Sequence, residues 1–253
     1  MKWLGRSPGD RRAPEPGSYE QSGAWTVDRA IRALATGCAA HQRPVPAVGA
    51  VVLGPETVAL RLTTPDENPA PGWTVEEHGR TWRASLRWLQ TAAVDDRLPE
   101  PFPLLVSLGM TDDGRLLLNL AEAAGMISLE GDTELARGLA RSWARRLATS
   151  PWAAAIRVIR VGFEPDPDFT GLDVARLIEV AATLDGPEPG GVLLFAGQPL
   201  GRDLHQVDRL LGEPARRWSV VAVDAAEATW RFVVGVDGTV DTGLLDEHVR
   251  LRP

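Results

Sequence analysis

Hydrophobic spacing divides the first part of the chain into one helix and two strand pairs. Apolar residues recur every three or four positions across 25–41, which predicts an amphipathic helix. Two short apolar runs follow at Val48–Leu53 and Thr57–Leu62, with a Gly-Pro-Glu turn between them, and they predict a hairpin. Runs at 73–75 and 80–84 predict a second hairpin. This part of the chain is therefore expected to be a small β-rich module with a leading helix.

After residue 98 the pattern changes to short apolar strands that alternate with helices. The predicted strands cover 104–108, 116–120, 125–129, 156–161, 192–195 and 219–223, and the predicted helices cover 132–148, 172–184 and 203–211. Such alternation predicts an α/β fold with a mostly parallel sheet and helices on both faces. A run at 229–234, an Asp-Gly turn and a last short strand predict an antiparallel hairpin at one edge of that sheet.

These patterns predict three segments. Residues 1–22 are rich in Gly, Pro, Arg and Glu and are expected to form a flexible leader. Residues 23–98 hold the helix and the β-rich module, and residues 99–253 hold the α/β domain. A proline-rich stretch at 98–103 marks the joint between the last two.

Composition excludes several kinds of chemistry. The chain has 253 residues and a formal net charge of -7, and of its 27 Lys and Arg residues only Lys2 is a lysine. An intact Walker A loop, a kinase lysine and pyridoxal phosphate attachment all need a lysine inside the fold. The single cysteine, Cys38, allows no internal disulfide, and no apolar run reaches the length of a membrane span. We expect a cytoplasmic protein that does not insert into membranes.

One segment combines a strand, a glycine turn and a helix start in the manner of phosphate-binding loops. The spacing G-x-x-x-x-G-K-[ST] places Gly131 at the first glycine, Ala136 at the second, Arg137 at the lysine and Gly138 at the hydroxyl residue. Ala136 adds a side chain where the backbone must approach phosphate, and Gly138 has no oxygen for Mg²⁺. The segment therefore predicts a degenerate phosphate loop.

The same residues have an interpretation that needs no nucleotide. Asp132 or Thr133 caps the helix, and Glu134 favours its positive end. The apolar residues of the helix then pack against the sheet. The best candidate for a Walker B acid is Asp224, which follows the apolar run 220–223 and which turn chemistry explains equally well.

The segment around this helix resembles a central region of large actinobacterial membrane proteins. Those proteins typically combine transmembrane helices, a LysM module and a bacterial transcriptional activator domain. The resemblance rests on PLLVSLG at 103–109, DDGRLLLNL at 112–120, AAG at 123–125, LEGD at 129–132, LATSPW at 147–152 and VGF at 161–163. It extends more weakly over 25–241, and it implies that the chain corresponds to the central region alone. That region brings no established activity.

A more distant similarity links the chain to the motor ATPases of DNA translocases and type VII secretion. In those proteins a strand such as 116–120 comes a few residues before the strand of the phosphate loop, and the order here is the same. Together the two resemblances imply a degenerate ATPase-like domain that is retained for assembly.

A basic stripe on the long helix is the other candidate binding feature. Arg137, Arg141 and Arg145 recur every four residues with Arg146 beside them, and we expect them opposite the apolar face. Such a stripe suits an anionic partner, although most stripes of this kind are solvated faces. The pair Asp166 and Asp168, which could be proposed as catalytic carboxylates, more simply forms a stiff solvated loop.

The sequence favours a non-catalytic interaction or regulatory scaffold. It predicts no catalytic residue, no metal site and no cofactor, because the four histidines lack helical partners and no C-x-x-C occurs. The expected partner is a protein, with a membrane-associated assembly as one setting, and nucleic acid is disfavoured by the net charge. The alternatives are a nucleotide-binding or weak ATPase domain that uses Arg137, and a nucleic-acid-linked regulator that uses the arginine stripe.

Overall fold

The structure is a computed structural model that describes residues 16–185, 190–213, 217–243 and 249–251, with side chains from residue 23 onward. Residues 1–15 of the predicted leader lie outside the described residues. The other seven leader residues are helical, because the first helix begins at Pro16. Among the described residues, no helix has the length and apolar content needed to cross a bilayer.

Five α-helices and fourteen strands form within the described ranges. The helices are α1 (Pro16–Ala40), α2 (Leu86–Thr91), α3 (Thr133–Thr149), α4 (Ala181–Leu184) and α5 (Arg202–Leu211). The strands are β1 (Val48–Leu53), β2 (Thr57–Leu62), β3 (Thr74–Glu76), β4 (Thr81–Ser85), β5 (Leu105–Thr111), β6 (Gly114–Asn119), β7 (Met126–Gly131), β8 (Arg157–Val161), β9 (Leu172–Val174), β10 (Gly191–Phe195), β11 (Trp218–Val223), β12 (Trp230–Val234), β13 (Thr239–Asp241) and β14 (Val249–Arg250). The predicted bounds of β1 and β2 match the structure.

All of these strands belong to one mixed sheet, so the fold is α/β and is dominated by that sheet. The order is β3-β4-β2-β1-β6-β5-β14-β13-β12-β7-β11-β10-β8-β9. The six strands from β12 to β9 are parallel, and every pairing from β3 to β12 is antiparallel. The prediction of a mostly parallel sheet is therefore wrong. Short turns connect most strands of the first half, and a two-residue or three-residue turn can join only antiparallel neighbours.

The β-rich module and the α/β part share this sheet. Strand β1 pairs with β6 over the register Ala50 to Leu118 through Leu53 to Arg115. The ladder therefore crosses the boundary predicted at residues 98 and 99, and one hydrophobic core continues from α1 through β1 and β6 to α3. Leu34, Val51 and Leu116 are all fully buried in that core.

The closing hairpin lies inside the sheet, which corrects its predicted place at an edge. Strand β12 pairs in parallel with β7, and β13 pairs with the two-residue strand β14, which in turn pairs with β5 at Arg250 and Met110. The hairpin thus joins the antiparallel and parallel halves. No periodicity can appear in a strand as short as β14, so the sequence pattern did not indicate this link.

The parallel half has helices on both faces, as predicted. Side chains alternate along each strand, so Ile127, Val192 and Val221 face α3, while Leu193 and Val220 face α4 and α5. Both sets are fully buried. The carboxyl ends of β7, β8, β10 and β11 consequently meet at one edge between two helical layers.

The predicted helix at 172–184 is wrong over most of its length. Residues 172–174 form the edge strand β9, a single 3₁₀ turn covers Leu177–Glu179, and only Ala181–Leu184 is α-helical. Leu172 and Ile178, which the helical pattern would bury, are 45% and 42% exposed. Pairing of β9 with β8 competes with the helical spacing and determines the local structure.

Candidate functional site

The start of α3 follows the end of β7 with one residue between them. Gly131 ends β7 at a φ of +96°, and a Cβ at this position would lie 2.3 Å from the carbonyl oxygen of Val234. Asp132 is the N-cap, and its Oδ1 accepts a hydrogen bond from the Leu135 amide at 2.9 Å. Gly131 therefore serves the close contact between β7 and β12, and Asp132 caps the helix as the interpretation without nucleotide expects.

The positions aligned with the second glycine, the lysine and the hydroxyl residue of a phosphate loop are all helical. The Ala136 amide donates to the Asp132 carbonyl oxygen at 2.8 Å, which is the first helical hydrogen bond of α3. Ala136 is fully buried against the sheet. Gly138 lies in the second turn, where an added Cβ would meet no atom within 4 Å. The helix thus occupies the stretch in which a phosphate loop would curve around its ligand.

A hydroxyl and the candidate acid Asp224 do meet at the start of α3, although the hydroxyl belongs to Thr133 and not to the position that the spacing aligned with it. The Thr133 hydroxyl donates to Oδ2 of Asp224 at 3.1 Å, and Asp224 directly follows β11. In phosphate loops the hydroxyl residue lies in the first helical turn, beside the acid that ends a neighbouring strand. Thr133, and not Gly138, therefore provides a hydroxyl beside an acid at this helix start.

Negative charge surrounds this helix start. Asp132, Glu134 and Asp224 all lie there, and Arg137 of the same helix bonds Glu134 through Nη1 at 3.0 Å. The Nε of Arg137 donates to the Ala196 carbonyl oxygen at 3.0 Å, on the loop after β10. The guanidinium of Arg137 is therefore held beside the loop that follows β10.

The residues of the predicted arginine stripe have different neighbours along α3. Arg137 and Arg141 line a cleft at the carboxyl edge of the parallel half. Arg145 donates from Nε to Oδ2 of Asp166 at 2.7 Å, and Arg146 donates from Nε to the Ser142 hydroxyl at 3.4 Å. The stripe is thus tied to neighbouring groups over most of its length, whereas the sequence pattern indicated a solvated face.

Sequence reasoning missed the buried arginine of β8. Arg160 is fully buried, and its Nε and Nη2 each donate to a different oxygen of Asp173 at 2.6 Å. Its Nη1 donates to Asp166 at 3.2 Å, and its guanidinium lies 4.3 Å from the centre of the Phe169 ring. Arg160 therefore holds the loop 162–171 against the edge of the sheet. An arginine inside an apolar strand, followed by Asp166 and Asp168, was the signal that could have found it.

The pair Asp166 and Asp168 is organised around those arginines. The Arg145 hydrogen bond holds the pKa of the Asp166 carboxyl below its usual range, with further help from the Asp168 amide and the charge of Arg160. A carboxylate that stays ionised and paired anchors a loop. Nothing in this geometry gives the two acids separate acid and base roles.

A cleft of about 750 Å³ opens between α3, the loops after β8 and β10, and the start of α5. Its lining includes Arg137, Arg141, Phe163, Arg176, Leu200 and Asp203. Ligands of open α/β sheets bind at the carboxyl ends of parallel strands, and this cleft lies at that edge. Among all the residues that the structure describes, no group of three His, Cys, Asp or Glu side chains is placed to hold a metal ion.

Comparisons with known proteins give distant structural matches only. No protein-family model matches the chain, and no curated protein matches it at a significant level. The structure is similar to the conjugation coupling protein TcpA of pCW3, solved as a monomer with ATPγS, with a TM-score of 0.41 and 9% identity over 88% of this chain and 94% of that one. It is also similar to the cytoplasmic domain of the type VII secretion ATPase EccC of Thermomonospora curvata, with a TM-score of 0.41 and 11% identity over 76% of this chain and 37% of that one.

Proposed function

We propose that the chain is a non-catalytic interaction or regulatory domain whose nucleotide-binding core is degenerate. The observation that carries the proposal is the Ala136 amide bound to the Asp132 carbonyl oxygen at 2.8 Å. A phosphate loop leaves several backbone amides free to point at the ligand. Here the amides of Leu135 and Ala136 are already used by Asp132, as cap and as first helical acceptor.

Charge at the helix start supports the same proposal. Two like unit charges about 4 Å apart repel by about 4 kcal/mol at an effective dielectric constant of about 20. A triphosphate beside Asp132 and Glu134 would face such repulsion without a lysine to offset it, because no lysine occurs beyond Lys2. We infer that the start of α3 does not bind nucleotide.

Thermal melting with and without Mg·ATP tests the proposal. A ligand at about 100 times its Kd stabilises the folded state by about 2.7 kcal/mol, so binding would raise the melting temperature by several degrees. We expect no shift at millimolar Mg·ATP, either in the unaltered chain or in Arg137→Ala. A shift that Arg137→Ala abolishes would show that the nucleotide site is functional.

The second candidate is a nucleotide-binding or weakly hydrolysing domain, and one contact favours it. Thr133 and Asp224 form the kind of hydroxyl and acid pair that holds Mg²⁺ in phosphate-loop proteins. If that pair is functional, Thr133→Val lowers Mg²⁺-dependent ATP hydrolysis and Gly138→Ser does not change it. The non-catalytic proposal expects no hydrolysis above a heat-treated control in any of the three proteins.

A nucleic-acid-linked regulator is the third candidate, and two ion pairs and the net charge of the chain argue against it. The charges of Arg137 and Arg145 are matched by Glu134 and Asp166, and the formal net charge of the chain is -7. We expect no DNA binding even at low salt. Salt-sensitive binding that an Arg137, Arg141 and Arg145 triple alanine variant loses would reverse this conclusion.

Under the leading proposal the partner is a protein, and the setting is the cytoplasm or a membrane-associated assembly.

A further inference from the structure

Two of the three arginines that line the cleft have no bound acid among the described residues, and these are the partly buried Arg141 and the exposed Arg176. Arg137 and Arg145 each contact a carboxylate, at 3.0 and 2.7 Å. Arg141 lies between them on α3 and lines the cleft, and no described residue accepts a hydrogen bond from its guanidinium. Arg141 is only partly exposed. A half-buried guanidinium is most stable with a planar anion in contact, because its five donors match a carboxylate.

Backbone donors also line the cleft. Gly197 and Gln198 belong to the loop after β10, and they line the cleft together with Arg141. Neither amide donates a hydrogen bond to a described residue, whereas the preceding amide, of Ala196, donates to the Val161 carbonyl oxygen at 3.0 Å. An added Cβ at Gly197 would meet no atom within 4 Å, so a ligand can approach this backbone closely.

The remaining lining limits the charge of what can bind. Three arginines and three acids line the cleft, so their formal charges cancel: Arg137, Arg141 and Arg176 against Glu134, Glu164 and Asp203. Asp203 is mostly buried and accepts from the Ile178 amide at 3.1 Å. A polyphosphate would bring several negative charges close to Glu134 and Glu164. A single carboxylate brings one, which Arg141 alone can balance.

Apolar side chains complete the cleft. Leu200 is 67% exposed at its rim, and Phe163 is half-buried in its wall. A volume of about 750 Å³ falls in the range of small-molecule sites, and Leu200 and Phe163 are apolar parts of a lining that is otherwise mostly polar. The lining therefore suits a ligand with an apolar portion next to its charge.

We propose that this cleft binds a ligand that joins one carboxylate to an apolar group, with the carboxylate on Arg141 and the amides of Gly197 and Gln198 and the apolar group against Leu200. A free organic acid and the C-terminal carboxylate of a peptide share this chemistry. The proposal is independent of whether the start of α3 binds nucleotide.

Amide chemical shifts of the ¹⁵N-labelled full chain test the site directly. The probes are 4-methylpentanoate as the free acid and the peptide acetyl-Ala-Ala-Leu with a free carboxyl end, each compared with its own amide derivative. We expect saturable shifts at Gly197 and Gln198 with at least one acid at up to about 20 mM, and at least tenfold weaker binding of its amide derivative. Binding of the acid alone assigns a free organic acid, and binding of the peptide alone assigns a chain terminus.

Two variants make the test specific. Arg141→Gln is expected to weaken binding at least tenfold, while Arg87→Gln, which alters an exposed arginine of α2 outside the cleft, leaves binding unchanged. Leu200→Ser is expected to weaken binding by a smaller factor. The proposal is overturned if neither acid gives saturable shifts, if the amide derivatives bind equally well, or if Arg141→Gln binds like the unaltered chain. Mg·ATP binding at the start of α3 would count against the proposed function only.

Discussion

The start of α3 and the cleft beside it lie at the same carboxyl edge of the parallel strands, but they differ in the hydrogen-bond donors that they leave free for an anion. At the helix start, the chain's own Asp132 caps the helix and Asp224 accepts from Thr133, so local donors are already used. In the cleft, Arg141 and two loop amides have no such acceptor among the described residues. Under the two proposals this edge keeps the ligand-binding role that it usually has in an α/β sheet, but the ligand lies beside the end of β10 instead of the end of β7.

The largest expected effect comes from the buried arginine that holds the loop 162–171, part of which lines the cleft. Arg160→Met removes the cation that holds Asp166 and Asp173 and leaves two acids facing a buried apolar side chain. We expect a loss of about 3 kcal/mol in the free energy of unfolding, measured by urea denaturation. Arg87→Met, at an exposed arginine of α2, should change it by less than about 0.5 kcal/mol. Equal effects of the two variants would refute a role for Arg160 in holding the loop 162–171.

The next effect tests whether Gly131 is needed for the close contact between β7 and β12. Gly131→Ala is expected to cost at least about 2 kcal/mol, because its φ of +96° and the nearby Val234 oxygen both oppose a side chain. Gly138→Ala, in open space within the same helix, should stabilise by roughly 0.5–1 kcal/mol. Urea denaturation of both variants measures the difference. A neutral Gly131→Ala would contradict the close strand contact.

A smaller effect tests the acid that caps α3. Asp132→Ala should cost about 1 kcal/mol, since the Leu135 amide loses its acceptor. Asp132→Asn keeps an acceptor oxygen, so a cost of only a few tenths of a kcal/mol is expected. If both substitutions stabilise the protein, Asp132 is a source of strain, as an acid kept for binding would be.

The smallest expected effect is the pH dependence of the Asp166 anchor. The pKa of Asp166 is below its usual range in the folded state because of Arg145, so the stabilisation is fully present above the ordinary aspartate pKa. It is lost as the pH falls through the lower folded-state value. Melting temperatures of the unaltered chain and Asp166→Asn should therefore differ most between about pH 5 and 7, and the difference should shrink as the pH falls below the ordinary aspartate pKa. A constant difference across that range would show that Asp166 does not act through its charge.

The sequence pattern predicted the local elements better than their pairing. Hydrophobic spacing placed β1, β2 and α3 closely, because each buries one face and its period is clear. It misplaced 172–184, where apolar residues occur at helical intervals but β9 pairs with β8. It also placed the β12–β13 hairpin at an edge, since the pairing of β14 with β5 is a long-range contact of two residues.

The candidate site was predicted in part for the same reason. Residues adjacent along the chain, such as Asp132 as a cap, could be inferred from spacing. The contacts of Thr133 with Asp224 and of Arg137 with Ala196 join residues far apart in sequence, and they follow from the order of strands. The cleft itself depends on which strand ends are neighbours, so the sequence pattern could name Arg141 as part of a basic stripe but could not place it in a cleft.

Isothermal titration of the full chain with Mg·ATPγS tests the central claim most directly, because it measures nucleotide binding without depending on hydrolysis. We predict no saturable heat up to about 1 mM ligand, since the first turn of α3 uses its own amides and carries its own acids. Saturable binding that Thr133→Val abolishes and Gly138→Ser preserves would contradict the account, and would show that the Thr133 and Asp224 pair still serves a nucleotide.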